Sequence, residues 1–285
     1  MWILFAVAAA FFAGVTSILA KIGIKNTDSF VATAIRTVVV FTFAWVIVLF
    51  VGSFHEIFSL STKTFFYLIL SGLATGASWI CFFHALQLGE VNKVTPIDKS
   101  STILTIIFAF VFLKEEVTFL KIICVILIAV GTYLMIQKQK VSSKETGNTW
   151  LIYALLAAFF ASITSILAKI GIESVESNLG TAIRTTVVLL MAWFIVFYQK
   201  KQTTIRTIDK TSWIYLILSG LTTGASWLFF FYALQKGPAS IVVPIDKLSI
   251  VVTVMFSYFV FNEKLSKKSF IGLILIVIGT LLLLI

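Results

Sequence analysis

Stretches of about 17 to 25 mostly apolar residues recur along this chain, and each is long enough to cross a bilayer core at about 1.5 Å rise per residue. They run over approximately 2–22, 30–51, 65–88, 94–113, 117–136, 150–170, 178–198, 213–236, 242–261 and 269–285. The breaks between them are short polar turns such as Lys25-Asn26-Thr27-Asp28 and Lys264-Leu265-Ser266-Lys267-Lys268. The chain is 60% hydrophobic and 12% charged, whereas about a quarter of the residues of a soluble domain are charged. An all-α integral membrane protein with ten transmembrane helices is the expectation.

An internal repeat organises these spans. Lys21 and Lys169, Arg36 and Arg184, Trp79 and Trp227, and Pro96 and Pro244 are each separated by 148 positions, and the halves align without a gap. Thr16 to Ile24 recurs as Thr164 to Ile172, and Thr33 to Thr37 as Thr181 to Thr185. The first span thus has an internal counterpart, which sets it apart from a cleaved signal peptide, and it lacks a basic leading region. The repeats are read as residues 1–137 and 150–285, joined by a polar linker over 138–149 that holds Lys138, Lys140 and Lys144.

Five helices per repeat is an odd number, so the second repeat must enter the membrane in the opposite sense to the first. Loop charges agree. The loop after the first helix has Lys25 where its counterpart has Glu173 and Glu176. The loop after the second has Lys63 against His55 and Glu56, where its counterpart has Lys200, Lys201, Arg206 and Lys210. Under the positive-inside rule, the linker and the basic loops lie in the cytoplasm, and both termini lie outside, in a multi-pass protein of the cell (inner) membrane. The net charge of +10 reports this orientation. No basic stretch interleaved with aromatics suggests nucleic acid as a partner.

Ionisable side chains within a bilayer are costly and mark candidate sites. Each half offers Lys21, Arg36, Asp98 and Lys99, mirrored by Lys169, Arg184, Asp246 and Lys247. Two readings stay open for the lysines at positions 21 and 169: substrate contact, or snorkelling from a helix end. Arg36 has the same choice, with Asp98 as a possible ion-pair partner. The segments Val94 to Ser101 and Val242 to Ser249 each contain Pro-Ile-Asp-Lys. The proline is either an unstrained first-turn residue with its aspartate at the helix start, or a kink that presents the charged pair to a polar cavity. Thr95, Asp98, Thr102 and Thr105 fall on one helical stripe.

Gly72-Leu-Ala-Thr-Gly76-Ala-Ser78-Trp79 and Gly220-Leu-Thr-Thr-Gly224-Ala-Ser226-Trp227 carry glycine pairs that let helices approach closely. The indoles of Trp79 and Trp227 are expected near mid-depth, where their N–H groups need partners; Ser78 and Ser226 sit beside them. His84 corresponds to Tyr232, so a proton-carrying role for His84 is not shared by both halves, and packing is its default. Two Cys and two His are too few for a disulfide framework or a metal cluster. No GxSxG turn, HExxH or phosphate loop is present, so no catalytic residue, metal or cofactor is expected, and no enzyme.

The repeats, with a proline in the fourth helix and the turns Leu113-Lys-Glu-Glu-Val-Thr118 and Phe261-Asn-Glu-Lys-Leu-Ser266 before glycine-bearing last helices (Gly131, Gly279), resemble the EamA domain of the drug/metabolite transporter superfamily. Each half resembles a single-repeat EamA protein, and the acidic residue of the turn corresponds to Glu115 and Glu263. The resemblance implies a ten-helix carrier whose central cavity is built mainly by helices 3, 4, 8 and 9. It implies no substrate.

The resulting expectation is a secondary transporter of a small polar or anionic metabolite (amino acid, organic acid or phosphorylated metabolite). It works by alternating access of two repeats, with a proton or ion as a coupling partner it could use. Lys21, Arg36, Lys99 and their mirrors outweigh Asp98 and Asp246, and a cationic cavity favours carboxylate or phosphate. The alternative is a non-transporting accessory or lipid-handling subunit whose helices only pack.

Overall fold

In the computed structural model, residues 1–24, 27–88, 97, 100–135, 149–261 and 265–285 are described; for residues 83, 86–88 and 261 only the backbone is described. These residues form helices joined by turns, with no strand among them. In chain order the helices are α1 (Trp2–Gly23), α2 (Ser29–Val51), α3 (Thr62–Leu88), α4 (Ser101–Phe112), α5 (Phe119–Met135) and α6 (Thr149–Gly171). They continue with α7 (Ser177–Tyr198), α8 (Lys210–Lys236), α9 (Ala239–Lys247), α10 (Ser249–Phe261) and α11 (Lys267–Leu282). Short 3-10 helices, Ser53–Ser59 and Gln202–Thr207, follow α2 and α7. Among the described residues, seven helical stretches are long and apolar enough to cross a membrane, with α9 and α10 counted as one over Ala239–Val260. The apolar helices α4 and α5 are shorter; undescribed residues precede Ser100, the residue before α4, and directly follow α5. The protein is an all-helical, multi-pass membrane protein. Large apolar side chains such as Leu4, Phe50, Val111, Leu190 and Phe259 are exposed on its outside.

Helix starts follow local chemistry. Asp28 accepts from the amides of Phe30 (2.9 Å) and Val31 (3.3 Å), and so caps α2. Glu176, 148 positions on, accepts from Asn178 and Leu179 at the start of α7. Asp209 does this for Ser212 in α8, and Ser61, its counterpart, for Thr64 in α3. Each satisfies an amide that the first helical turn leaves without a partner. Gly52 ends α2 in the left-handed region, at φ 79°.

Packing runs between the halves rather than within them. The strongest helix pairs are α3 with α6, α1 with α8, α5 with α11 and α2 with α7. Small residues make this possible: Ala6, Ala9 and Ala10 of α1 and their counterparts Ala154, Ala157 and Ala158 of α6 are buried. Gly131 and Gly279 pack in the same reciprocal way, each with a Cβ position within about 3 Å of the opposite helix, at Ile276 and Ile128.

Two cross-half contacts fix the ends of the helical body. Lys201, after α7, pairs with Asp28 at 2.7 Å. Ser53, after α2, donates to Glu176 at 3.0 Å. Because α2 runs between Asp28 and Ser53, these contacts stand about 34 Å apart by helical rise. The α9 segment carries Pro244 in its interior, and the helix breaks at Leu248 before α10. Pro244 has no amide to give Ser240 and crowds its carbonyl, and the elbow follows within a turn. It is therefore not a first-turn proline. Pro96 lies outside the described residues.

Candidate functional site

Among the described residues, two arginines, each two turns into a capped helix, place their guanidinium groups in the interior. Arg36 of α2 reaches the other half, where its Nη2 donates to Thr223 Oγ1 of α8 at 2.9 Å. Thr223 in turn donates to the Ser219 carbonyl at 2.6 Å. Arg184 of α7 donates through Nε to Ser71 Oγ of α3 at 2.8 Å, and Ser71 donates to the Thr164 carbonyl of α6 at 2.7 Å. The Arg184 guanidinium also stacks 3.9 Å from the Phe231 ring centroid; Trp227 meets Phe231 edge-on at 6.5 Å.

Glycines make these reaches possible. A Cβ on Gly220 would lie 2.6 Å from Val39 Cβ and 3.1 Å from the Arg36 carbonyl oxygen. A Cβ on Gly72 would lie 2.6 Å from Val187 Cβ and 3.1 Å from the Arg184 carbonyl oxygen. The glycine pairs of α3 and α8 therefore serve close packing, and the first glycine of each pair meets the arginine-bearing turn of the opposite half, while Gly76 and Gly224 meet Met191 and Phe43. Each guanidinium keeps one buried nitrogen without a partner among the described residues: Arg36 Nε and Arg184 Nη1. A buried donor left unpaired costs about 1–3 kcal/mol, so an acceptor arriving there is favoured.

The remaining sequence-derived residues fall in several places. Ser78 donates to the Ala157 carbonyl at 3.0 Å and Ser226 to the Ala9 carbonyl at 2.9 Å. Both hydroxyls join helices. Trp79 packs on the buried cluster of α2 and α7 that holds Phe30 and Ile195, and Trp227 on the cluster that holds Phe231. Lys21 is exposed at the end of α1. Lys169 is partly buried and donates to the carbonyls of Leu234 and Gly237 at the end of α8. Asp246 and Lys247 lie at the α9–α10 elbow with their charged atoms 3.9 Å apart. Asp98 and Lys99 lie outside the described residues, as does Thr95; Thr102 and Thr105 are buried in α4.

A partly open cavity of about 340 Å³ lies near the Asp28 end, lined by Phe30, Ile80, His84, Tyr153, Phe194, Ile195, Tyr198 and Gln199. His84 meets Tyr153 edge-on at 4.4 Å. None of the charged candidates among the described residues lines it. Sequence reading did not single out Ser71, Thr223 or Phe231, the partners of the arginines. It noted Glu115 without a role: its carboxylate accepts from the amides of Ala239 (2.6 Å) and Ser240 (3.0 Å) and from the Ser240 hydroxyl.

The sequence pattern of the EamA-like transporter family matches residues 1–137 and again residues 148–285. An uncharacterized transporter in the cobO 3' region of Sinorhizobium sp. is 41% identical over 136 residues, 48% of this chain and 96% of that protein. An S-adenosylmethionine uptake transporter of Rickettsia prowazekii (strain Madrid E) is 24% identical over 225 residues, 78% of this chain and 73% of that protein. A protein crystal structure superposes with a TM-score of 0.78 at 15% identity, covering 99% of this chain and 96% of that one, a likeness of fold.

Proposed function

We propose that this chain, which belongs to the EamA-like transporter family, carries a small polar or anionic metabolite by alternating access of two five-helix repeats of inverted topology, residues 1–137 and 150–285. It is a non-enzymatic transporter of a small molecule. The observation that carries the anionic reading is the pair of buried guanidinium groups, each tied to the other half and each with an uncommitted N–H. A carboxylate or phosphate is the acceptor that such a charged donor binds most strongly. Asp246, at the elbow of α9 and α10, is a counter-charge for an ammonium group, so an amphoteric amino acid also suits the site. S-adenosylmethionine, the solute named for the Rickettsia relatives, carries an ammonium, a carboxylate and a sulfonium, and belongs among the compounds tested.

The inverted arrangement is supported by the two end contacts. Asp28 and Glu176 are equivalent positions, yet one meets residue 201 and the other residue 53, at opposite ends of α2. Ten spans follow if the described parts of α4 and α5 extend into a full crossing and α9 and α10 form one. Lys200, Lys201, Arg206 and Lys210 follow α7 at the Asp28 end, which the positive-inside rule makes cytoplasmic. Both termini then face outward from the cell membrane. A reporter active only in the cytoplasm should work when fused at Lys144 and fail when fused after Ile285.

The deciding assay is uptake into proteoliposomes with a panel of amino acids, organic acids, sugar phosphates and S-adenosylmethionine, with and without a proton gradient. Saturable uptake of one anionic or amphoteric class supports the reading. Uptake of cationic dyes alone would overturn it.

A further inference from the structure

The two ends of the helical body differ. At the Asp28 end lies the cavity bordered by Phe30, His84, Tyr153 and Tyr198. At the Glu176 end, three side chains knit the turns together. Glu115, in the turn between α4 and α5, holds the first two amides of α9 and the hydroxyl of Ser240. Lys169, at the end of α6, closes the last carbonyls of α8 at Leu234 and Gly237. Gln235 donates to the carbonyls of Ile172 and Val175, between α6 and α7.

Of these, the Glu115 contact crosses from the first half to the second. The α8–α9 connection it grips, Gly237-Pro238, contributes no capping side chain of its own: Pro238 occupies the cap position, and no side-chain hydrogen bond is made there. The α9 amides are therefore held by a carboxylate on the opposite half, and the halves cannot part at this end without exposing them. Ionised acceptors form hydrogen bonds roughly twice as strong as neutral ones, and helix N-termini favour negative charge.

We propose that Glu115 is a positioning residue for transport: a latch that holds the carrier shut at the Glu176 end, released and remade in each cycle as α9 swings at the Leu248 elbow that follows Pro244. The contact brings the α4–α5 turn onto the start of the helix that carries Asp246 and Lys247. This rests on the alternating-access reading for its consequence, but not for its geometry.

The test labels Val117, in the α4–α5 turn, and Lys236, the last residue of α8, both exposed. Spin labels are placed on Val117→Cys and Lys236→Cys in a Cys81→Ala, Cys124→Ala background, and pulsed dipolar spectroscopy reads their separation in nanodiscs. The parent should show a dominant short separation. Glu115→Gln, which keeps the shape and removes the charge, should at least double the share of a longer separation. Ser240→Ala, which removes one of the three contacts, should do so to a smaller extent, and it provides the same reading should Glu115→Gln fail to fold. An unchanged distribution in the folded variants, with only a lower melting temperature, would make Glu115 a helix cap and overturn the latch. A shift in separation without uptake of any panel compound would count against the carrier reading alone, and uptake with no shift against the latch alone.

Discussion

Lys201 Nζ lies 2.7 Å from Asp28 Oδ2, and the residues 148 positions away from each, Ser53 and Glu176, meet at 3.0 Å. The same joint is therefore built twice from different chemistry, as an ion pair with a stacking contact from Lys201 to Phe30 at 4.5 Å, and as a neutral donor on a carboxylate. Both joints tie the capped start of one half's second helix to the turn after the other half's second helix. α2 and α7 are held to each other at both ends, and any rocking of the halves has to occur around that pair.

This joint separates two contributions. Asp28 both caps α2 and pairs with Lys201, so Asp28→Ala should cost about 1 kcal/mol for the cap and up to about 1 kcal/mol for the pair. Lys201→Met should keep the cap and lose the pair together with the cation–π contact to Phe30, the latter about 0.5 kcal/mol at an exposed site. The side chains are 31% and 25% exposed, so high salt should shrink the Lys201 effect. Thermal melting in detergent checks the order; a larger loss for Lys201→Met than for Asp28→Ala would contradict it.

Glycine substitutions sort by cause. Gly72→Ala and Gly220→Ala would push a methyl group to 2.6 Å from Val187 Cβ and Val39 Cβ; each should cost about 1–3 kcal/mol through overpacking. Gly52→Ala meets nothing within 4 Å, and its cost is that of a left-handed residue at φ 79°, about 1 kcal/mol. The first two should also impair uptake, because the displaced turns carry Arg184 and Arg36. Gly52→Ala should leave uptake intact. Equal uptake for all three would separate the glycine pairs from the arginine sites.

Much of the fold was legible because apolar runs and the 148-residue offset are properties of a single strand of text. Span limits read from hydropathy agree with the helices to within a few residues at α1, α2, α7 and α8. What was not legible depends on contacts between distant positions. The bonds from Arg36 to Thr223 and from Arg184 to Ser71 link positions 187 and 113 apart, and no periodicity along one helix reveals which threonine or serine faces them. The Leu248 break had a signal in Pro244, but not its place. Glu115 had one as well: a helix start after Gly237-Pro238 with no local cap requires an acceptor from elsewhere.

Acid should act on one surface cap in a predictable direction. Hydrogen bonds from the Ser212 side chain and then its amide hold the Asp209 carboxyl below its ordinary value. A carboxylate with a depressed folded pKa adds stability above the unfolded value near about 4, and that contribution is lost as pH falls through the folded value. The melting-temperature gap between the parent and Asp209→Ala should therefore be present at pH 7 and narrow toward pH 3. A gap that widens in acid would reverse the sign and exclude this cause.

The sharpest test of the site is at Arg184, because it is 3% exposed and its contacts need a planar fork. Arg184→Lys keeps the charge but loses the Nε bond to Ser71, the close guanidinium contact over the Phe231 ring and the free Nη1. A hydrogen bond to a charged group is worth about 1.5–3 kcal/mol, so uptake of a carboxylate or phosphate solute should fall by about 10- to 100-fold in kcat/KM. Ser71→Ala removes the partner and leaves the guanidinium, so it should disturb aim without removing the binding group, and its loss should be smaller. Arg36→Lys should follow Arg184→Lys, with Thr223→Ala in the place of Ser71→Ala. If the lysine variants transport at the parent's rate while their melting temperatures fall, the arginines are structural staples between the halves, and the anion site lies elsewhere.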